Sequence, residues 1–167
     1  MKIKSLVFSF LMLAFFVGKS QEIKLSDSLL NYTFKTPQDK SISLASFKGS
    51  IVLVEFWASW DIPSRKNHVE LLKIYQEYLD KKFKSAKRFN IVSISLDVNP
   101  KHHKLAVSKD GMIWKNIVCD FKGWESPWVD IFKIKMLPQN FLLDGNGKVI
   151  AQDLWYEELE KQLRALQ

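Results

Sequence analysis

The run Ile51-Val52-Leu53-Val54-Glu55-Phe56-Trp57 constrains the fold more than any other segment. Apart from Glu55 it is aliphatic or aromatic throughout. That is how a strand covered on both faces reads, not one with a wet side. Such a strand needs helices above and below it, and the sequence supplies them. After Trp60 the period changes, and Leu71, Ile74, Tyr75, Tyr78 and Leu79 fall on one helical face. Phe89 to Leu96 is a second apolar strand, Asp97 to Pro100 a turn, and residues 101–110 a polar helix stopped by Gly111. Trp114 to Asp120 reads as a short extended piece. Ser126-Pro127 opens a brief helix to Phe132, because proline suits a first helical turn. Gln139 to Asp144 and Lys148 to Gln152 flank Gly145-Asn146-Gly147, a hairpin signal, and Glu157 to Leu166 makes a terminal helix. Ahead of the central run, Asn31 to Thr36 and Ser41 to Leu44 have strand character around a Pro37–Lys40 turn, and Ser46 to Gly49 reads as another turn. Strands alternating with helices predict an α/β three-layer sandwich with a mixed central sheet and flanking helices.

The N-terminus reads as a secretory leader over residues 1–20. Lys2 and Lys4 precede an apolar stretch from Leu6 to Val17, and Gly18-Lys19-Ser20 supplies small residues before Gln21. The expected product is exported, to the periplasm or cell envelope, with membrane attachment only if that leader stays uncleaved. Residues 21–30 then form a short N-terminal segment and 31–167 the folded domain. Losing a leader that holds three lysines and no acid lowers the formal charge from +7 to +4. No arginine-rich stripe accompanies that charge, so nucleic acid is not an expected partner. The basic cluster Lys81-Lys82, Lys84, Lys87 and Arg88 reads as a helix C-terminus, where cations complement the dipole. His68, His102 and His103 have no ligand spacing with cysteines or acids and read as surface residues; no metal or cofactor is expected. Asp97 and Asp144 read as turn acids at strand ends.

The one cysteine is Cys119. A single thiol cannot close a bridge within its own chain, even in an oxidising compartment. Free cysteine is among the most buried residue types, so an inert, buried Cys119 is the expectation, with an exposed, oxidisable thiol as the alternative.

Several segments in order resemble the thioredoxin superfamily, in particular its exported TlpA/ResA-like thiol-disulfide oxidoreductase branch. They are Val52-Leu53-Val54-Glu55-Phe56-Trp57-Ala58-Ser59-Trp60-Asp61-Ile62-Pro63-Ser64-Arg65-Lys66, Pro138-Gln139-Asn140-Phe141-Leu142-Leu143-Asp144 with the following hairpin, Ser46-Phe47-Lys48-Gly49, and Lys122-Gly123-Trp124-Glu125-Ser126-Pro127. The resemblance implies a thioredoxin-like sandwich over roughly residues 30–167. It also implies that Asp61 and Ser64 stand where the family carries its Cys-x-x-Cys pair. Asp61 then reads as a helix cap, since aspartate is a preferred N-cap residue. Glu55 matches the family's buried acid. Either it is a core polar group bonded to a lysine or water, or it still poises a proton-transfer step. Pro138 matches the family's cis-proline, and Trp57, Trp60, Asp61, Pro63, Leu137 and Pro138 would line a groove able to pair with an extended peptide. Two functions follow. One is a non-catalytic module that binds an extended or unfolded polypeptide or an envelope protein. The other is a thiol-disulfide oxidoreductase or antioxidant-type protein in redox homeostasis, using Cys119 if it is redox-active at all.

Overall fold

The computed structural model describes residues 33–36 and 41–167. The leader, the segment 21–30 and the Pro37–Lys40 turn lie outside the described residues. Two short strands, β1 (Thr33–Lys35) and β2 (Ser41–Ser43), pair antiparallel. The main chain path then runs β3 (Ile51–Trp57), α1 (Ile62–Tyr78), β4 (Phe89–Ser95), α2 (Pro100–Lys109), β5 (Asn116–Cys119), α3 (Pro127–Phe132), β6 (Gln139–Leu143), β7 (Val149–Gln152) and α4 (Tyr156–Leu166). The five-stranded sheet has the order β5-β4-β3-β6-β7. β3 runs parallel to β4 and antiparallel to β6, and β4 parallel to β5, so the sheet is mixed as expected.

Alternation along β3 divides the core. Val52, Val54 and Phe56 face one layer with Phe34, Trp128 and Phe132. Ile51, Leu53 and Trp57 face the other, with Leu71, Ile74 and Tyr78 of α1, Ala106 of α2, and Leu159 and Leu163 of α4. The result is the expected three-layer α/β sandwich. Every residue of β3 is buried, which is what its unbroken apolar run requires. Between β6 and β7, Gly147 (φ +79°) takes the left-handed position that closes the turn, while Asp144 Oδ1 accepts from the N–H groups of Asn146 and Lys148. Asp144 is thus a turn acid, as its sequence neighbours indicate.

Three local expectations change. Leu44–Phe47 forms a 3-10 turn, capped by Ser43, where strand followed by turn was expected. The extended piece before Asp120 narrows to Asn116–Cys119. α1 ends at Tyr78, so the basic cluster lies in the loop beyond the helix and not on its last turn. Among the described residues, no helix is long and apolar enough to cross a membrane.

Candidate functional site

The loop between β3 and α1 meets the sheet at its carboxyl edge, where α/β folds present their sites. Two carboxylates shape it. Asp61 caps α1: one carboxylate oxygen accepts from the Ser64 N–H at 2.9 Å and from the Ser64 hydroxyl. Pro63 sits in the first turn, where its missing N–H leaves no bond unmade. Asp61 and Ser64 are therefore one hydrogen-bonded unit at the helix tip. Asp97, read from sequence as a turn acid, does more. It is buried, and its two oxygens take the Ser59 N–H at 3.1 Å each, the Ser59 hydroxyl at 2.6 Å and the Ser95 hydroxyl at 2.7 Å. It ties the loop to the end of β4.

Below the tip lies a buried polar cluster. The Ser93 hydroxyl donates to Glu55 Oε1, and Trp114 Nε1 donates to Ser93 Oγ at 2.6 Å. Among the described residues the partners of Glu55 are therefore a serine and a histidine, not the expected lysine. His68 Nε2 lies 3.5 Å from Glu55 Oε1, an electrostatic contact outside good hydrogen-bond alignment, and its Nδ1 lies 2.9 Å from Asp110 Oδ2. Arg65 forks onto both Asp110 oxygens and donates to the Ser59 carbonyl at 3.2 Å. Burial by itself would lower the His68 pKa. The charge and close contact of Glu55, with the hydrogen bond and charge of Asp110, outweigh it, and the net direction is up. The expectation of surface histidines holds for His102, which is exposed, and fails for the other two: His68 is fully buried and His103 nearly so, packed against Trp57 with ring centroids 4.7 and 5.5 Å away. The hint in the sequence was the position of His68 one turn before Leu71, on the face that α1 buries. Among the described residues, no group of three or more histidines, cysteines and acids could hold a metal ion.

The expected groove residues separate. Trp57 is 0% exposed and belongs to the core, so it lines no groove. Trp60 is 55% exposed, Pro63 is exposed, and Leu137 and Pro138 are half-buried around a cis peptide bond. Pro63 lines a depression of about 270 Å³ with Ile62, Lys66, Asn67, Glu70, Trp155 and Tyr156. Pro138 lines a second, of about 210 Å³, with Met136, Asn140 and again Asn67 and Trp155. Sequence reasoning missed Asn67, Met136 and Trp155. Cys119 is 3% exposed; burial, above all, pushes its thiol up to about 11, and its Sγ points at the Asp97 carbonyl 3.6 Å away.

Known proteins share this architecture. A family model described as "Thioredoxin-like" matches residues 49–149. The thiol-disulfide oxidoreductase ResA of Bacillus cereus is 26% identical over 148 residues, 89% of this chain and 79% of that protein. A thiol-disulfide oxidoreductase from Bacteroides fragilis is 32% identical, with a TM-score of 0.71 over 81% of this chain and 96% of its own. The thioredoxin domain of a thiol-disulfide oxidoreductase from Bacteroides vulgatus is 31% identical, with a TM-score of 0.67 over 79% of this chain and 92% of its own. A match that runs from the glycine before β3 to the start of β7, on a sheet of this order, places the chain in the thioredoxin-like family, close to the ResA/TlpA-type thiol-disulfide oxidoreductases.

Proposed function

We propose that this thiol-disulfide-oxidoreductase-like chain has lost the family's dithiol couple and acts as an exported binding module. Its expected occupant is an extended polypeptide or an envelope protein, held on the face around Trp60, Asp61, Pro63, Leu137 and Pro138. The observation that carries the reading is the helix tip itself. There the Asp61 carboxylate accepts from Ser64 N–H and Oγ–H, so two oxygen side chains are bonded to each other at the end of α1. A helix N-terminus stabilises an anion, and a carboxylate satisfies it as a thiolate would, but without sulfur's redox couple. Neither side chain can form or resolve a mixed disulfide.

Cys119 offers no substitute. A thiol titrating near 11 is protonated at neutral pH, and only the thiolate attacks a disulfide. Export rests on the leader-like pattern of residues 1–20. The test is restoration. Wild type should not speed the reduction of insulin disulfides by dithiothreitol beyond the reagent's own rate, whereas Asp61→Cys with Ser64→Cys should accelerate it. Wild-type turnover at the rate of the double variant would refute the reading.

A further inference from the structure

We propose that a cavity lined by α2 and the edge strand β5 binds a small organic anion with an aromatic body, such as an aromatic carboxylate. Pro100, His103, Lys104 and Val107 bring one helical face to it, at i, i+3, i+4 and i+7. Lys115 and Ile117, two apart, bring one face of the sheet edge. The cavity measures about 510 Å³, inside the roughly 300–1,000 Å³ range of small-molecule sites. The depressions at Pro63 and Pro138, about 270 and 210 Å³, fall below that range, and neither shares a lining residue with this cavity. It is a second place on the molecule, separate from the helix tip.

Its charge has one sign. Lys104 and Lys115 line it, both exposed, and no acid does. Neither lysine has an ion pair among the described residues. The acids that could have answered them are engaged elsewhere. Asp110 holds Arg65 and His68, Asp120 accepts from the Lys122 N–H and the Ser126 hydroxyl, and Asp97 is spent on Ser59 and Ser95. Burial lowers the His103 pKa against the opposing charge of Asp97, so that ring adds surface and no charge. Two ammonium groups on flexible stems beside a cavity without a counter-charge suit a single anionic group.

The rest of the lining is apolar and rich in rings. Val107 and Ile117 are half-buried and pack on the core behind them. The rings of His103 and Phe121 meet edge to face, centroids 5.7 Å apart at 87°. Phe121 sits at φ +58°, a region that bulky residues avoid, so its ring is set against the cavity at a backbone cost. Trp114 also lines the cavity, and its Nε1 already donates to Ser93 Oγ, which leaves ring surface and no donor to offer. A flat ligand body finds aromatic edges and faces here. A bare ion such as phosphate would leave this wall wet, and an uncharged ring would leave both ammonium groups unused.

The test titrates the full nitrogen-15-labelled chain with 2-naphthoate, with its uncharged match 2-naphthamide, and with inorganic phosphate, and follows the backbone amides by NMR. Naphthoate should move amides of residues 100–121 saturably and bind about tenfold or more tightly than naphthamide. Phosphate should leave the same amides in place. Lys104→Gln with Lys115→Gln should erase the preference for naphthoate; both side chains are exposed, so the fold is not at stake. Lys81→Gln with Lys82→Gln removes the same charge from exposed positions outside the cavity and should keep the preference. Equal affinity for naphthoate and naphthamide overturns the inference, as does a preference that survives in the Lys104 and Lys115 double variant or is lost equally in the Lys81 and Lys82 one. Phosphate binding as tightly as naphthoate overturns it too. So do shifts centred on Met136 and Trp155, or no saturable shift at residues 100–121.

Discussion

Replacing Asp110 with asparagine tests the buried cluster. The carboxylate of Asp110 faces two basic groups at once, the Arg65 fork and His68 Nδ1. Asn keeps the shape and one acceptor but removes the charge, which leaves Arg65 without an ion pair among the described residues and His68 with Glu55 alone. Breaking one partner out of a buried pair costs about 3–5 kcal/mol, and the Arg65 side chain is 27% exposed, which points to the lower end. At about 3 °C per kcal/mol for a domain of this size, the melting temperature should drop about 9 °C. The pH dependence adds a second readout. His68 is raised in the folded state, so its stabilisation is complete below the ordinary histidine value of 6.5 and is lost as pH climbs through the higher folded value. Wild type should therefore melt lower at pH 9 than at pH 6.5, and Asp110→Asn should flatten that slope. Far-UV circular dichroism melts across that range provide the assay. A drop under about 3 °C with an unchanged slope would mean that Glu55 alone raises the His68 pKa, and the reasoning would be wrong.

Two further measurements bear on the helix tip and the thiol. Asp61→Ala removes the α1 cap and should lower stability by about 1 kcal/mol, read as a shift in the urea midpoint at constant slope; no shift would show that Asp61 caps nothing in solution. Cys119 should resist iodoacetamide in the native protein at pH 8 and react fully in urea, as mass spectrometry would show; rapid native labelling would contradict its burial and raised titration.

The architecture was legible because its signals are local. The apolar run of β3, the helical face from Leu71 to Tyr78, and the glycine-flanked hairpin each lie within a short window, and each forms as read. The polar interior was not legible, because its partners are distant in sequence. Asp97 looks like a turn acid until Ser59, 38 residues earlier, is brought over it. His68 looks like a surface histidine until Glu55 and Asp110 converge on it from β3 and the end of α2. Trp57 follows the same logic in reverse. As the last residue of an all-buried strand it belongs to the core, although the resemblance drew it toward the groove. Asn67 carries no local signal; it stands out only once the fold brings Trp155 beside it, so that both line the two depressions.

The clamp formed by Asp97 separates two things that enzymes usually bind together. By holding Ser59 from beneath, it fixes where the polypeptide leaves the sheet before the helix has begun. The path of the chain into that helix is therefore set by atoms other than those at positions 61 and 64. Whatever stands at those two positions, reagent or bystander, inherits the same launching point, and its exchange need not disturb the surrounding frame.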